Sequence, residues 1–348
     1  MKLTHALLAA AMMGLPSTVF AQEHLKSLNA SGIDKTTPAS KDFYQHVNKG
    51  WMESNPLTPE YSRYGQFNIL SDSSNNRVRR IVTNLSKTNP KKGTNAYKIA
   101  ALYEAAMDSV RRNQLGAEPI KADLAKIEGT APEGMTDLLL WLHKSYASPF
   151  FGAGPMENLA NSNEYAMYVS SGGLTLGDRD YYLKDDKRNK DVRDAYQKLI
   201  EAQMVNAGYS KKDAKRIVKN VMKIETLIAD STWTREESRN LPAMYNPRSI
   251  AQLQEMYPNI PWNRFFVETM DIETPDQVIV TEINTVKQAD NLIGSLTDRE
   301  KKDYYLWQYV NHAAPFLSDT FGDANFEFNK VMSGVQEQRP RWKRALGV

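Results

Sequence analysis

Between Ala214 and Ile228, apolar residues recur at intervals of three and four: Ala214, Ile217, Val218, Val221, Met222, Ile224, Leu227 and Ile228. That spacing puts them on one broad face of an α-helix, whereas a strand would divide them between two faces. Ser210 and Asp213, three apart just ahead of the run, resemble a capping box and mark where the helix begins. Lys211, Lys212, Lys215, Arg216, Lys219 and Lys223 populate the rest of its surface. A basic face of this kind could meet an anionic membrane or a nucleic acid, but the solvated side of a core-packed helix is the plainer reading.

The same helical signature recurs along the chain. Thr94 can cap a helix carrying Tyr97, Ile99, Leu102, Tyr103, Ala106, Met107 and Val110 on an apolar face. Thr297 with Glu300 forms another capping box, ahead of Tyr304, Tyr305, Trp307 and Tyr309, and the pattern predicts a further helix over 321–338. These aromatic residues and Met332 read as core rather than as cofactor contacts. Pro242, Pro247, Pro258 and Pro261 interrupt the helices. The stretch "YAMYVSSGGLTLGDRDYYL" alternates and carries Gly172, Gly173 and Gly177, which predicts a short extended piece and a turn. The expected class is mainly α, a multi-helix fold with minor short β segments.

With 348 residues, 41% of them hydrophobic and 24% charged, the chain can bury a core, and at this length two lobes are expected. A net charge of only +3, without a long single-sign tail, argues against nucleic acid as the main partner. Residues 1–21 have the layout of a cleaved secretory signal: Lys2, an apolar run from Ala6 to Leu15, Pro16, and small residues before a cut expected after Ala21. As a helix the apolar run would span about 15 Å, half the hydrocarbon core, so a membrane anchor is not expected after cleavage. Residues 22–40 read as a flexible lead-in. There is no cysteine, which excludes disulfides, thiolate metal sites, a cysteine nucleophile and a lipoprotein anchor. A secreted or periplasmic protein held together by packing is expected.

Catalytic patterns are missing from the residues themselves. His5, His24, His46, His143 and His312 are scattered, and no pair has the helical spacing of a zinc site, so none is assigned a metal. A GxSxG elbow, a Walker loop and the dinucleotide glycine fingerprint are absent. Asp185 with Asp186, and Glu236 with Glu237, are sequence neighbours that need not converge on one bond. In "YSRYGQFNIL", Arg63 lies between Tyr61 and Tyr64, and is either part of a packed turn or a cation held out for a ligand.

Four stretches together resemble the N-terminal half of the neprilysin and endothelin-converting-enzyme family of zinc metallopeptidases. They are "DFYQHVNKGWMESNPLTPEYSRYGQF" (42–67), "GGLTLGDRDYYL" (172–183), "DYYLWQYV" (303–310) and "RPRWKR" (339–344). The first two are specific, and the order and spacing fit from about residue 41 onward. Lys49 stands where the family commonly has glycine, and Gly177 where it commonly has proline.

The resemblance implies a mostly helical, two-lobed secreted peptidase that encloses small peptides. It also implies zinc in the full-length enzyme, held by an HExxH helix and a downstream glutamate in a C-terminal catalytic lobe beyond Val348; no zinc is expected on this chain. Residues 41–70 would then pack on that lobe and 71–348 would form the lid. The motif carries Arg63 over as the ligand of a substrate's free carboxylate, which a guanidinium matches with two charge-assisted hydrogen bonds. The acidic residue that often follows five positions later is Asn68 here, a second expected substrate-binding position. By the same resemblance Arg179 and Asp180 fix a turn while Tyr181 and Tyr182 pack. Trp51, Trp262 and Trp342 are expected as core or interlobe anchors. The expected partners are peptide substrates and the catalytic lobe. The alternatives are a stand-alone exported helical binding or scaffold protein derived from this lobe, and one of two reassociating halves with a large exposed apolar surface.

Overall fold

Caps and close approaches, more than propensity, decide where the helices of this chain start and stop. The computed structural model describes residues 32–172 and 174–347; the expected signal peptide, the lead-in up to residue 31, and Gly173 lie outside the described residues. Two compact units divide between Thr58 and Pro59.

In the first unit, α1 (Phe43–Ser54) begins at Asp42, whose carboxylate accepts the Gln45 N–H at 2.9 Å. Ahead of it, the Asp34 carboxylate accepts hydrogen bonds from the Thr36 hydroxyl and N–H, the Thr37 hydroxyl and the Lys49 ammonium. The Thr36 and Thr37 hydroxyls above all hold Asp34 well below the usual carboxylate range. Lys49, the departure from the family's glycine, therefore has a local partner, 3.1 Å away. Gly50 is obligatory, because a Cβ there would stand 2.7 Å from the carbonyl oxygen of Gly32.

The second unit opens with α2 (Gln66–Lys87), α3 (Asn95–Met107), α4 (Ser109–Leu115), α5 (Lys121–Gly129) and α6 (Met135–Lys144). The hairpin β1 (Phe151–Asn158) and β2 (Asn161–Ser171) follows, then α7 (Asp180–Leu183), α8 (Lys187–Asn206) and α9 (Lys211–Ser231). Next come β3 (Asn246–Ser249), α10 (Ile250–Met256), α11 (Trp262–Arg264) and β4 (Gln277–Val280). The series closes with α12 (Ile283–Ser295), α13 (Asp298–Ala313), α14 (Asp319–Ser333) and α15 (Arg341–Ala345). The strands form one sheet ordered β1-β2-β4-β3; β2 and β4 run parallel, with Tyr168 opposite Ile279, and the other pairs are antiparallel. The fold is mainly α with a small sheet, as expected.

The core is built on α9, which packs against α8, α12 and α13. Its Ile217, Val221, Ile224 and Ile228 are fully buried, each contributing about 1.5–3 kcal/mol relative to exposure. In α13, Tyr304, Tyr305, Leu306, Trp307 and Val310 are buried in the same core, and the Phe150 ring lies tilted against that of Tyr304, centroids 4.9 Å apart. Trp262 is fully buried among Phe151, Phe265 and Phe266. The basic side of α9 is not simply solvated. Arg216 reaches the fully buried Asp303 of α13 at 3.0 Å, and Lys223 reaches Glu300 at 2.6 Å.

Two expectations change. The helix expected over 321–338 runs from Asp319 to Ser333, because Gly334 takes a left-handed conformation (φ 80°) and caps it. The apolar face of α3 is only partly covered: Ala100 and Ala106 are buried, but Ile99 and Leu102 are exposed, and Val110 falls in α4 and is also exposed. The predicted turn before "DYYL" is present. Gly177, at φ 75°, donates its N–H to Leu174 O at 2.8 Å, and Asp178 accepts the Asp180 N–H at 2.8 Å.

Candidate functional site

The segment from Pro59 to Gly65 is irregular backbone pinned at both ends. At its start, Pro59 O accepts the N–H groups of Gln336 and Glu337 at 2.9 and 3.0 Å. At its end, Asn68 Oδ1 accepts the Gly65 N–H at 3.0 Å, closing the first turn of α2. Between these points the Tyr61 hydroxyl donates to Asp72 Oδ1 at 2.6 Å. The Lys343 ammonium contacts Glu60 Oε1 at 2.9 Å, Asp72 Oδ1 at 2.8 Å and Tyr61 Oη at 3.2 Å. The side chains of Lys343, Glu60 and Asp72 are 10%, 20% and 22% exposed, so these contacts are poorly screened by water.

The titration shifts agree with that geometry. Burial works against the Asp72 carboxylate, yet hydrogen bonds from Lys343 and Tyr61 outweigh it and hold its pKa below the ordinary value. Burial likewise opposes the Lys343 charge, and Asp72, Glu60 and Tyr61 together hold its pKa above the ordinary lysine value. Burial and the neighbouring Asp72 push the Tyr61 phenol up. The Tyr61 ring lies 5.3 Å from that of Tyr64, with the Arg339 guanidinium over it at 5.5 Å. Trp342 carries the Arg79 guanidinium 4.5 Å from its ring.

Arg63 projects from the middle of this braced segment. It is exposed, and among the described residues no hydrogen bond, ion pair or ring contact engages it. Asn68 is half-buried, and its oxygen serves the start of α2, so the two positions expected at one site have different local duties. The sequence reading missed Glu60, Asp72 and Lys343. The "RPRWKR" stretch, quoted above only as a motif, was the available signal for Lys343.

Other polar groups prove to be structural. Asp186 caps α8 through the Asn189 N–H at 3.1 Å, Asp185 pairs with Arg193, and Glu237 accepts the Thr234 N–H at 2.8 Å. His143 is buried against Phe151 and Phe265, and burial pushes it down to about 3, so it stays neutral. Glu225, inside the apolar stripe of α9, is fully buried and accepts the hydroxyls of Thr175, Tyr182 and Tyr196 at 2.6–3.0 Å. A cavity of about 470 Å³ adjoins Glu60 and is lined by Arg112, Asp319, Arg341 and Arg344. Its guanidiniums are largely engaged: Arg112 donates to the carbonyls of Ala106, Pro315 and Leu317, and Arg341 to Ala106 O and to Asp319. Among the described residues no group of three or more His, Asp or Glu could hold a metal ion, so the residues present do not fit a zinc site. No described helix is long and apolar enough to cross a membrane.

A family model described as Peptidase family M13 matches residues 39–348. Endothelin-converting enzyme 1 of Rattus norvegicus is 26% identical over 326 residues, covering 90% of this chain and 42% of that protein. Neprilysin-3 of Drosophila melanogaster is 26% identical over 332 residues, covering 89% of this chain and 42% of that protein. Among solved structures, the inhibitor complex of the Mycobacterium tuberculosis zinc metalloprotease ZMP1 superposes with a TM-score of 0.83 at 24% identity, over 92% of this chain and 49% of that one. PEPO from Lactobacillus rhamnosis HN001 superposes with a TM-score of 0.72 at 18% identity, over 89% and 49%. The chain thus spans less than half the length of these relatives and neighbours.

Proposed function

The chain belongs to peptidase family M13, and from that membership we propose that it is the peptide-enclosing, substrate-gating portion of a secreted or periplasmic zinc metalloendopeptidase. Arg63 binds the free carboxylate at one end of a short peptide, and Asn68, in the first turn of α2, is the second position to contact the peptide. Zinc belongs to a partner half carrying the catalytic residues, since the described residues of this chain do not fit it. Residues 41–70 lean on that half and 71–348 form the lid.

The observation that carries the reading is Arg63 itself. A structural arginine in a packed turn would donate to nearby carbonyls, as Arg112 does here. Among the described residues Arg63 has no such partner, while the backbone on either side of it is tied down. Little backbone entropy is then left to lose when a carboxylate binds, and the remaining ordering cost is that of the arginine side chain. The partner half is supported by a separate feature, the apolar stripe along α2. Phe67, Leu70, Val78 and Ile81 share one side of that helix and are 88%, 44%, 41% and 60% exposed.

The test is titration calorimetry of the purified chain with N-acetyl-Ala-Ala-Phe as the free acid and as the amide. The acid is expected to bind about tenfold tighter or more, the value of a charge-assisted bidentate contact. Arg63→Ala is expected to bring the two affinities together. Equal binding of acid and amide to the unaltered chain would return Arg63 to the role of a turn residue.

A further inference from the structure

We infer that Lys343 is a positioning residue for Arg63: its ammonium fixes the loop that presents the guanidinium, and so sets how strongly the site prefers a free peptide carboxylate. The inference rests on the carboxylate-binding reading of Arg63. An ammonium has three N–H donors, and Lys343 has three acceptors around it: Glu60 Oε1, Asp72 Oδ1 and Tyr61 Oη, at 2.9, 2.8 and 3.2 Å. Two of these belong to the loop and the third to α2, the helix that the loop enters. Lys343 itself sits on α15, so one point charge joins the loop's two flanks to a third element.

The electrostatics make this cation hard to replace. Glu60 and Asp72 would repel each other without it, and Glu60 Oε2 is already buried with no hydrogen-bond partner among the described residues. Tyr61 passes the constraint along, because its hydroxyl is held by Asp72 and Lys343 while its ring packs on Tyr64, the residue after Arg63. Loss of Lys343 frees the loop to splay without removing any group that would touch the peptide. An arginine at 343 keeps the charge but cannot point three donors at the same three acceptors, so it substitutes only in part.

The readout is the ratio of acid to amide affinity for N-acetyl-Ala-Ala-Phe in the purified full chain. Lys343→Met is expected to lower that ratio at least threefold with little change in amide affinity. Lys343→Arg should recover part of it. Tyr61→Phe, which keeps the ring and the Lys343 ion pairs, should lower the ratio about twofold. If Lys343→Met unfolds, as circular dichroism would show, Tyr61→Phe carries the decision. If Arg63→Ala abolishes the preference while folded Lys343→Met and Tyr61→Phe keep the unaltered ratio, the role of Lys343 is overturned and the Arg63 reading stands. If the unaltered chain shows no preference for the acid, or binds neither peptide, the Arg63 reading fails and the inference with it.

Discussion

A proline could not occupy position 177 of this chain without rebuilding the turn. Gly177 sits at φ 75°, outside the range a pyrrolidine ring permits, and its N–H closes the turn onto Leu174 O. Gly177→Ala is expected to cost about 1 kcal/mol in urea unfolding, and Gly177→Pro about 3 kcal/mol or more. The glycine at 177 thus closes the turn that leads into the "DYYL" helix. Asn68 supports a prediction of opposite sign. Its oxygen accepts the Gly65 N–H, which an aspartate could do equally well while adding a negative charge at a helix N-terminus. Asn68→Asp should raise stability by about 0.5 kcal/mol, an effect that high salt should diminish. The exposed Arg63 was legible as a motif at this scale. What braces it was not, because Tyr61 and Lys343 are 282 positions apart and sequence periodicity carries no information over such a gap.

Whole elements were more legible than single residues wherever a cap and a stripe coincide. Thr94, Ser210 and Thr297 each accept the backbone N–H three residues on, as their sequence context predicts. The far end of α14 was misjudged because Val335, Gln336, Glu337 and Gln338 include no helix breaker before Pro340, whereas the left-handed backbone at Gly334 already ends the helix. The stripe of α9 also conceals a carboxyl. Glu225 lies between Ile224 and Ile228 in sequence, and its charge was lost among the apolar neighbours. It joins α9 to the loop before α7 through Thr175, to α7 through Tyr182 and to α8 through Tyr196, with Gln308 of α13 at 3.5 Å and, among the described residues, no basic hydrogen-bond partner. Burial raises its pKa from 4.5 to about 7, although the three hydroxyls pull the other way. The folded state thus holds the proton more tightly than the unfolded state. The stabilisation from this group is complete below about pH 4.5, falls as pH rises toward 7, and is level above that. A shift of this size corresponds to about 3 kcal/mol. Urea midpoints measured between pH 4.5 and 8 should show the decline, and Glu225→Gln should flatten it.

At the scale of the molecule, the second unit has a finished core and an unfinished surface. α9 and α13 bury most of their apolar stripes, including Ile217, Val221, Ile224, Ile228, Tyr304 and Trp307, whereas α2, 22 residues long, buries only Val82. Helical period alone could not distinguish these cases, since a stripe that faces a core and a stripe that faces a partner look alike in sequence. The exposed stripe should behave as an interface. Phe67→Ser with Ile81→Ser removes apolar area from water contact and leaves the buried core untouched, so the folded chain should lose little stability, within about 0.5 kcal/mol. Its binding of a hydrophobic dye should drop clearly. The same pair should prevent association with a separately produced half that carries an HExxH helix. The purified chain alone should contain no stoichiometric zinc and should not cleave a short fluorogenic peptide. Mixing it with that half should give cleavage that a chelator stops, and the doubly substituted chain should fail to do so. Chelator-sensitive turnover by the unaltered chain on its own would place the chemistry within these 348 residues and remove the need for a partner half.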